Sequence, residues 1–151
     1  MRALTYEDKW TIAAPVEAVW RLIEDFEGYP RWWKIYDHAV WKTAVRGRGA
    51  TGELKARRFG YDLTVNLEVT QVEELRVSEA RLSGDLEGIA RWTLAPAGAR
   101  ATGITYYTTA APTKTLLPVP DFVAKPMLNL IHKNAVRSCI QGMRAELEGK
   151  T

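Results

Sequence analysis

Cysteine occurs once, at Cys139, and histidine twice, at His38 and His132. One thiol cannot close an internal disulfide, and no asparagine stands in a glycosylation triplet, so nothing directs the chain to an oxidising compartment. No carboxylate lies at ligand spacing from either histidine. This excludes a structural zinc site, and no catalytic metal is expected. Serine is scarce too: Ser78, Ser83 and Ser138 are the only three. None sits in G-x-S-x-G or is followed by the lysine of S-x-x-K, which argues against a serine hydrolase. No stretch reaches the roughly 18 uncharged apolar residues of a membrane span. The first ten residues carry Arg2, Glu7, Asp8 and Lys9 where a secretory leader needs an apolar run, so a cytoplasmic location is expected.

What is present suits one globular domain spanning residues 1–151. The chain is 46% hydrophobic and 26% charged, values that allow a packed core and exclude disordered or fibrous classes. The net charge of +3 is too small to require a nucleic-acid partner. Lys42, Arg46, Arg48, Lys55, Arg57 and Arg58 do cluster against the single acid Glu53. With no aromatic residue inside that run to stack on bases, it reads first as a solvated strand pair and otherwise as a face for a partner; nucleic acid is not expected there.

Tyr6, Trp10 and Ile12 alternate with polar residues as in a strand, and Asp8 interrupts that apolar face. Pro15 then opens a short amphipathic helix over about 15–25, carried by Val16, Val19, Trp20, Ile23 and Phe26. Gly28 ends it, and Arg31 to Tyr36 is long enough only for a second, shorter helix. From Val40 the period becomes two and stays so for about seventy residues, most clearly where Tyr61, Leu63, Val65, Leu67 and Val69 alternate with polar neighbours. Further strands are expected at about 40–46, 52–58, 75–82, 88–95 and 101–109, with short connections that imply antiparallel neighbours. Ala111 to Pro120 should run as an extended loop. A long helix follows to about Leu147, either starting at Pro126 or starting near Asp121 and kinking there. The class is α+β: a curved antiparallel sheet wrapped on one C-terminal helix.

One helix cannot fill the concave side of such a sheet, so a hollow lined by apolar residues should remain. On the last helix Leu128, Val136, Cys139, Met143 and Leu147 share one stripe, with His132 in its middle. Buried there without a carboxylate, His132 should be neutral, bonded to a tyrosine such as Tyr106 or to a backbone carbonyl. It is not paired with Cys139, which lies seven residues or about 10 Å further along the axis. Gly47-Arg48-Gly49-Ala50-Thr51-Gly52 matches G-x-G-x-x-G, but a strand rather than a helix follows, so it reads as a hairpin loop and no nucleotide cofactor is expected.

Three segments carry a resemblance: Ile12-Ala13-Ala14-Pro15-Val16-Glu17-Ala18-Val19-Trp20, Asp25-Phe26-Glu27-Gly28-Tyr29-Pro30-Arg31-Trp32-Trp33, and Gly84-Asp85-Leu86-Glu87-Gly88-Ile89-Ala90-Arg91-Trp92. With the order of elements, they make the chain resemble the START/Bet v 1-like (SRPBCC) superfamily, in its polyketide cyclase/dehydrase and lipid-transport branch. The resemblance implies a helix-grip fold and a small hydrophobic ligand, and it leaves open whether the ligand is carried or cyclised. It implies that the second short helix caps the mouth, so that Trp33 or Tyr36 meets the ligand. Trp41, Tyr61, Trp92 and Tyr106 would line the sheet side. Arg58 would be a cation at the cavity edge, like the inward arginine of aromatase/cyclases, although Ala56 stands where a hydroxyl partner would be. Leu63, Val65, Leu128, His132 and Val136 complete the candidate ligand-binding set, and no catalytic residue is assigned. The leading expectation is a cofactor-free binding or carrier protein. The alternatives are a cyclase or dehydratase using His132 or a tyrosine for proton transfer, and an interaction module using the basic face 42–58.

Overall fold

The computed structural model describes residues 3–58, 61–113 and 120–148, and the side chains of Arg58 and Tyr61 lie outside that description. Strand β1 (Leu4–Ile12) leads into helix α1 (Val16–Glu24), a 3-10 turn (Phe26–Gly28) and the one-turn helix α2 (Tyr29–Trp32). Strands β2 (His38–Trp41), β3 (Thr51–Arg58), β4 (Tyr61–Glu73), β5 (Val77–Gly84), β6 (Leu86–Pro96) and β7 (Thr102–Pro112) follow, and helix α3 (Asp121–Leu147) closes the chain.

All seven strands form one antiparallel sheet in the order β1-β7-β6-β5-β4-β3-β2. The meander β2 to β7 is built from neighbours in sequence, and β1 then joins its far edge on β7. The period-two alternation makes this arrangement stable, because each strand puts its apolar set on the concave face. A register shift between Val69 and Gln71 lets β4 bend.

Pro15 ends its extended stretch as the N-cap of α1, where its carbonyl takes the amides of Ala18 and Val19 at 3.0 and 3.2 Å. Val19, Trp20, Leu22 and Ile23 are buried on this helix, and they join Phe26, Tyr29, Trp32, Leu94, Ile104, Cys139 and Met143 in the core. Trp10 packs at the margin of that cluster rather than inside it.

Several boundaries move from their sequence positions. The second helix is Tyr29–Trp32, not 31–36. Pro30 fits only a first turn, and the chain leaves helical geometry at Trp33 (φ −101°, ψ 88°). The strand expected at 40–46 is His38–Trp41, and Ala111 and Pro112 extend β7 instead of opening the proline-rich loop, where Pro112 pairs with Leu86. The rest of that loop, residues 114–119, lies outside the described residues. Helix α3 starts at Asp121, capped by Pro120, and runs through Pro126. It tolerates the proline at the loss of one backbone bond, to the carbonyl of Phe122.

The G-x-G-x-x-G segment is a hairpin loop that delivers β3, and its last glycine has a packing reason. A Cβ on Gly52 would stand 2.7 Å from the Phe26 ring. At the β2 edge of the sheet, the Trp41 amide donates to a Glu27 carboxylate oxygen at 3.0 Å. Just beyond the start of β2, the Arg57 amide donates to Asp37 at 2.7 Å.

Candidate functional site

Cross-strand register decides what the concave face presents. Asp8, Tyr106, Trp92 and Ser78 are successive partners across β1, β7, β6 and β5, so they form one row about 14 Å long. The next row is Tyr6, Thr108, Ala90, Ala80 and Val69, and the one after it contains Leu4, Ala110, Gly88, Leu82 and Leu67. The first row is filled by large rings, whereas the centres of the next two carry methyl groups, a threonine and a glycine. Small side chains in the deepest part of a curved sheet leave space that α3 does not enter. A cavity of about 450 Å³ occupies it.

Trp33, Tyr36, Trp41, Leu63, Val65, Trp92, Tyr106, Leu128, His132 and Val136 all line this cavity. The two remaining residues foreseen for it, Arg58 and Tyr61, have side chains outside the described residues. Trp33 is 3% exposed and its indole N–H donates to the Ala135 carbonyl at 2.9 Å, which ties the end of α2 to the middle of α3. Its ring meets Tyr36, Trp92 and Tyr106 edge to face. One aromatic wall therefore joins the mouth to the sheet, and such contacts hold rings in place beyond simple burial. Burial pushes the Tyr29, Tyr36 and Tyr106 phenols up from their usual range, so they act as hydrogen-bond donors rather than bases near neutrality. It does the same to Cys139, whose thiol is correspondingly inert.

His132 has a different partner from the one its helix position suggested. Its Nε2 lies 2.8 Å from Asp8 Oδ2, and its ring stacks on Tyr6 with centroids 3.8 Å apart. The Tyr6 hydroxyl donates to Asn129 Oδ1 at 2.6 Å. The expectation of a buried imidazole without a carboxylate is therefore corrected. The inward acid on β1 meets the helix because both elements border the same end of the cavity. The upper part of the α3 stripe is also less covered than its periodicity implied. Val136, Cys139 and Met143 are buried, but Ile131 is 42% exposed and Leu128 is half-buried. Asn134, an exposed residue of α3, also reaches the cavity wall.

A second polar group lies at the opposite end of the Asp8 to Ser78 row. Glu24, the last residue of α1, lines both the cavity and a smaller outer hollow bounded by Asp25, Glu27, Trp41 and Arg46. Burial raises its carboxyl above the ordinary range, and the Ser78 hydroxyl beside it pulls weakly the other way. A carboxyl raised by folding favours the folded state below its ordinary pKa, and that contribution is lost as pH rises through the raised value. Four residues separate Glu24 from Trp20, so both face inward. That spacing was the sequence signal for Glu24, as the break in an apolar alternation was for Asp8.

The basic stretch is largely engaged with its own surroundings. His38, Lys42 and Lys55 surround Glu53, chiefly through the Lys42 hydrogen bond that holds its carboxyl low. Arg46 lies over Trp41 at 5.0 Å and Arg57 pairs with Asp62 at 2.8 Å. Among the described residues no group of three or more His, Cys, Asp or Glu side chains could hold a metal ion, and no helix is long and apolar enough to cross a membrane.

A seven-stranded sheet gripping one long helix around an apolar cavity defines a helix-grip protein of the START/Bet v 1 superfamily. Residues 3–148 match the family described as "Polyketide cyclase / dehydrase and lipid transport", and the chain belongs to that family. It is similar to a START superfamily protein from Mycobacterium smegmatis, with 18% identity, a TM-score of 0.80 and coverage of 97% of this chain and 99% of that one. An aromatase/cyclase from Streptomyces sp. R1128 is similar at 17% identity, with a TM-score of 0.80 over 95% of this chain and 93% of that one. A protein from Thermus thermophilus reaches 20% identity and a TM-score of 0.80 over 94% and 95% of the two chains. At such identities the likeness is one of fold. No curated protein matches the chain.

Proposed function

We propose that this protein binds and carries a small hydrophobic molecule, aromatic or lipid-like, between the sheet and α3, without a cofactor. The cavity of about 450 Å³ carries this reading. Its size falls within the range of small-ligand sites, and its wall is aliphatic and aromatic with few, localised polar groups. Trp33, Tyr36, Trp92 and Tyr106 give flat apolar surfaces to a ring system, and Leu63, Val65, Leu128 and Val136 give aliphatic ones. Native protein titrated with a solvatochromic naphthalene dye should show saturable, blue-shifted fluorescence that a long-chain alcohol displaces. A dye signal that rises linearly without saturation rejects the reading.

The Asp8–His132 pair favours a second reading, a cyclase or dehydratase acting on a polyketide-like chain. With Nε2 held 2.8 Å from Asp8 Oδ2, the ring keeps Nδ1 for proton transfer, and buried phenols supply donors for a developing oxyanion. In that case Asp8→Asn, which disturbs the tautomer, should lower turnover of a poly-β-ketone thioester about a hundredfold while ligand affinity stays within about threefold. For a carrier, neither the native protein nor the variant changes the rate of cyclisation above the uncatalysed level.

A further inference from the structure

We propose that Glu24 and Ser78 form a hydrogen-bonding pole of the cavity, so that its ligand is a neutral molecule bearing an oxygen acceptor, a carbonyl or a hydroxyl, at the end lodged against α1. This rests on the carrier reading and specifies what is carried.

Glu24 Oε1 is buried and has no hydrogen-bond partner. A buried polar atom left unpaired is costly, and most such atoms in folded proteins have a reason to be there. This one belongs to a side chain on the cavity wall, beside the Ser78 hydroxyl on the same wall. Because burial favours the protonated carboxyl, the group offers a donor as well as acceptors, which suits an uncharged oxygen. Among the described residues lining the cavity there is no lysine or arginine to balance an anionic ligand. The row Ser78, Trp92, Tyr106, Asp8 then sets the shape. A flat molecule lies on the two central rings with its oxygen at the Glu24 end, and its far end approaches His132. The titratable groups facing Glu24 are Tyr29 on the inner side and Asp25, Glu27 and Arg46 around the outer hollow. Arg46 lies over the Trp41 ring at 5.0 Å, and burial is the largest influence on the Glu24 carboxyl.

Two fluorescent probes test this: a naphthylamine carrying a ketone, and the parent naphthylamine without it. The quantity read is the ratio of their dissociation constants. Below the raised pKa of its carboxyl the native protein should prefer the ketone by about tenfold, and Glu24→Leu should reduce the preference to within about twofold. Glu24→Gln keeps an N–H donor and should keep the preference. As pH rises through the raised carboxyl pKa the native preference should fall, whereas that of Glu24→Gln should stay level. An unchanged ratio in Glu24→Leu, or a native ratio indifferent to pH, overturns the assignment while leaving the carrier reading intact. Should Glu24→Leu fail to fold, the pH series on the native protein and Glu24→Gln decides the matter. If neither probe saturates the native protein, the carrier reading fails and the pole falls with it.

Discussion

Gly142→Ala should unfold roughly 10 °C below the native protein in a thermal melt, a loss of about 3 kcal/mol. A Cβ at position 142 would stand 1.8 Å from the Trp32 carbonyl oxygen and 3.2 Å from its indole ring. Alanine is the better helix former by about 1 kcal/mol, so propensity alone predicts the opposite sign. Overlap wins because the obstacle is backbone. Either α3 moves away from α2 or the turn carrying Trp32 and Trp33 is displaced. Trp32 is 2% exposed and sits among rings, so neither can shift without opening the core. A melting temperature equal to or above the native value would show that the two helices slide freely, and would undercut the view that α2 is a fixed lip of the cavity.

Ala90→Phe should abolish binding of a cavity probe, raising its dissociation constant about a hundredfold or more, which corresponds to about 2.8 kcal/mol. Its melting temperature should be no lower than the native one. Ala90 lies at the middle of β6 on the concave face, between Ala80 and Thr108, where the sheet is lined by its smallest side chains. A phenyl ring there projects into the cavity of about 450 Å³ and meets wall atoms that at present face empty space. The two measurements together separate occupation from unfolding. Retained affinity in a folded variant would place the probe elsewhere, on the surface or at the mouth.

The contrast between these two sites shows what a sequence conveys. Strand alternation and the stripe of α3 are local periodic signals, and they led directly to the sheet and the helix, whereas the family resemblance put Trp33, Tyr36, Trp92 and Tyr106 at the cavity. Element ends were less legible. Trp33 leaves the helix under geometry set by its bond to Ala135, 102 positions away in sequence. The polar ends of the cavity were hidden for the same reason. Asp8 reads as a flaw in an amphipathic strand until α3 brings His132 to it across 124 positions. Glu24 reads as the polar end of a helix until Ser78 of β5 is beside it. Small residues carried the least signal, since Ala80, Ala90 and Ala110 become a cavity floor only when the register aligns them.

The carboxylates that meet the Trp41 and Arg57 amides bear on how this molecule tolerates crowding. The outer margin of a sheet is a template to which another extended chain can add, and an open ladder of amide donors invites filament growth. Strand β2 is four residues long, which already gives an incoming chain little to hold. Glu27 then fills the donor position of its last residue and Asp37 that of Arg57 on β3 just beyond its start, and both carboxyl groups put oxygen acceptors there. An approaching strand finds its own carbonyls repelled where they would have to dock. The side chains that shape this margin therefore also guard the sheet against polymerising through it.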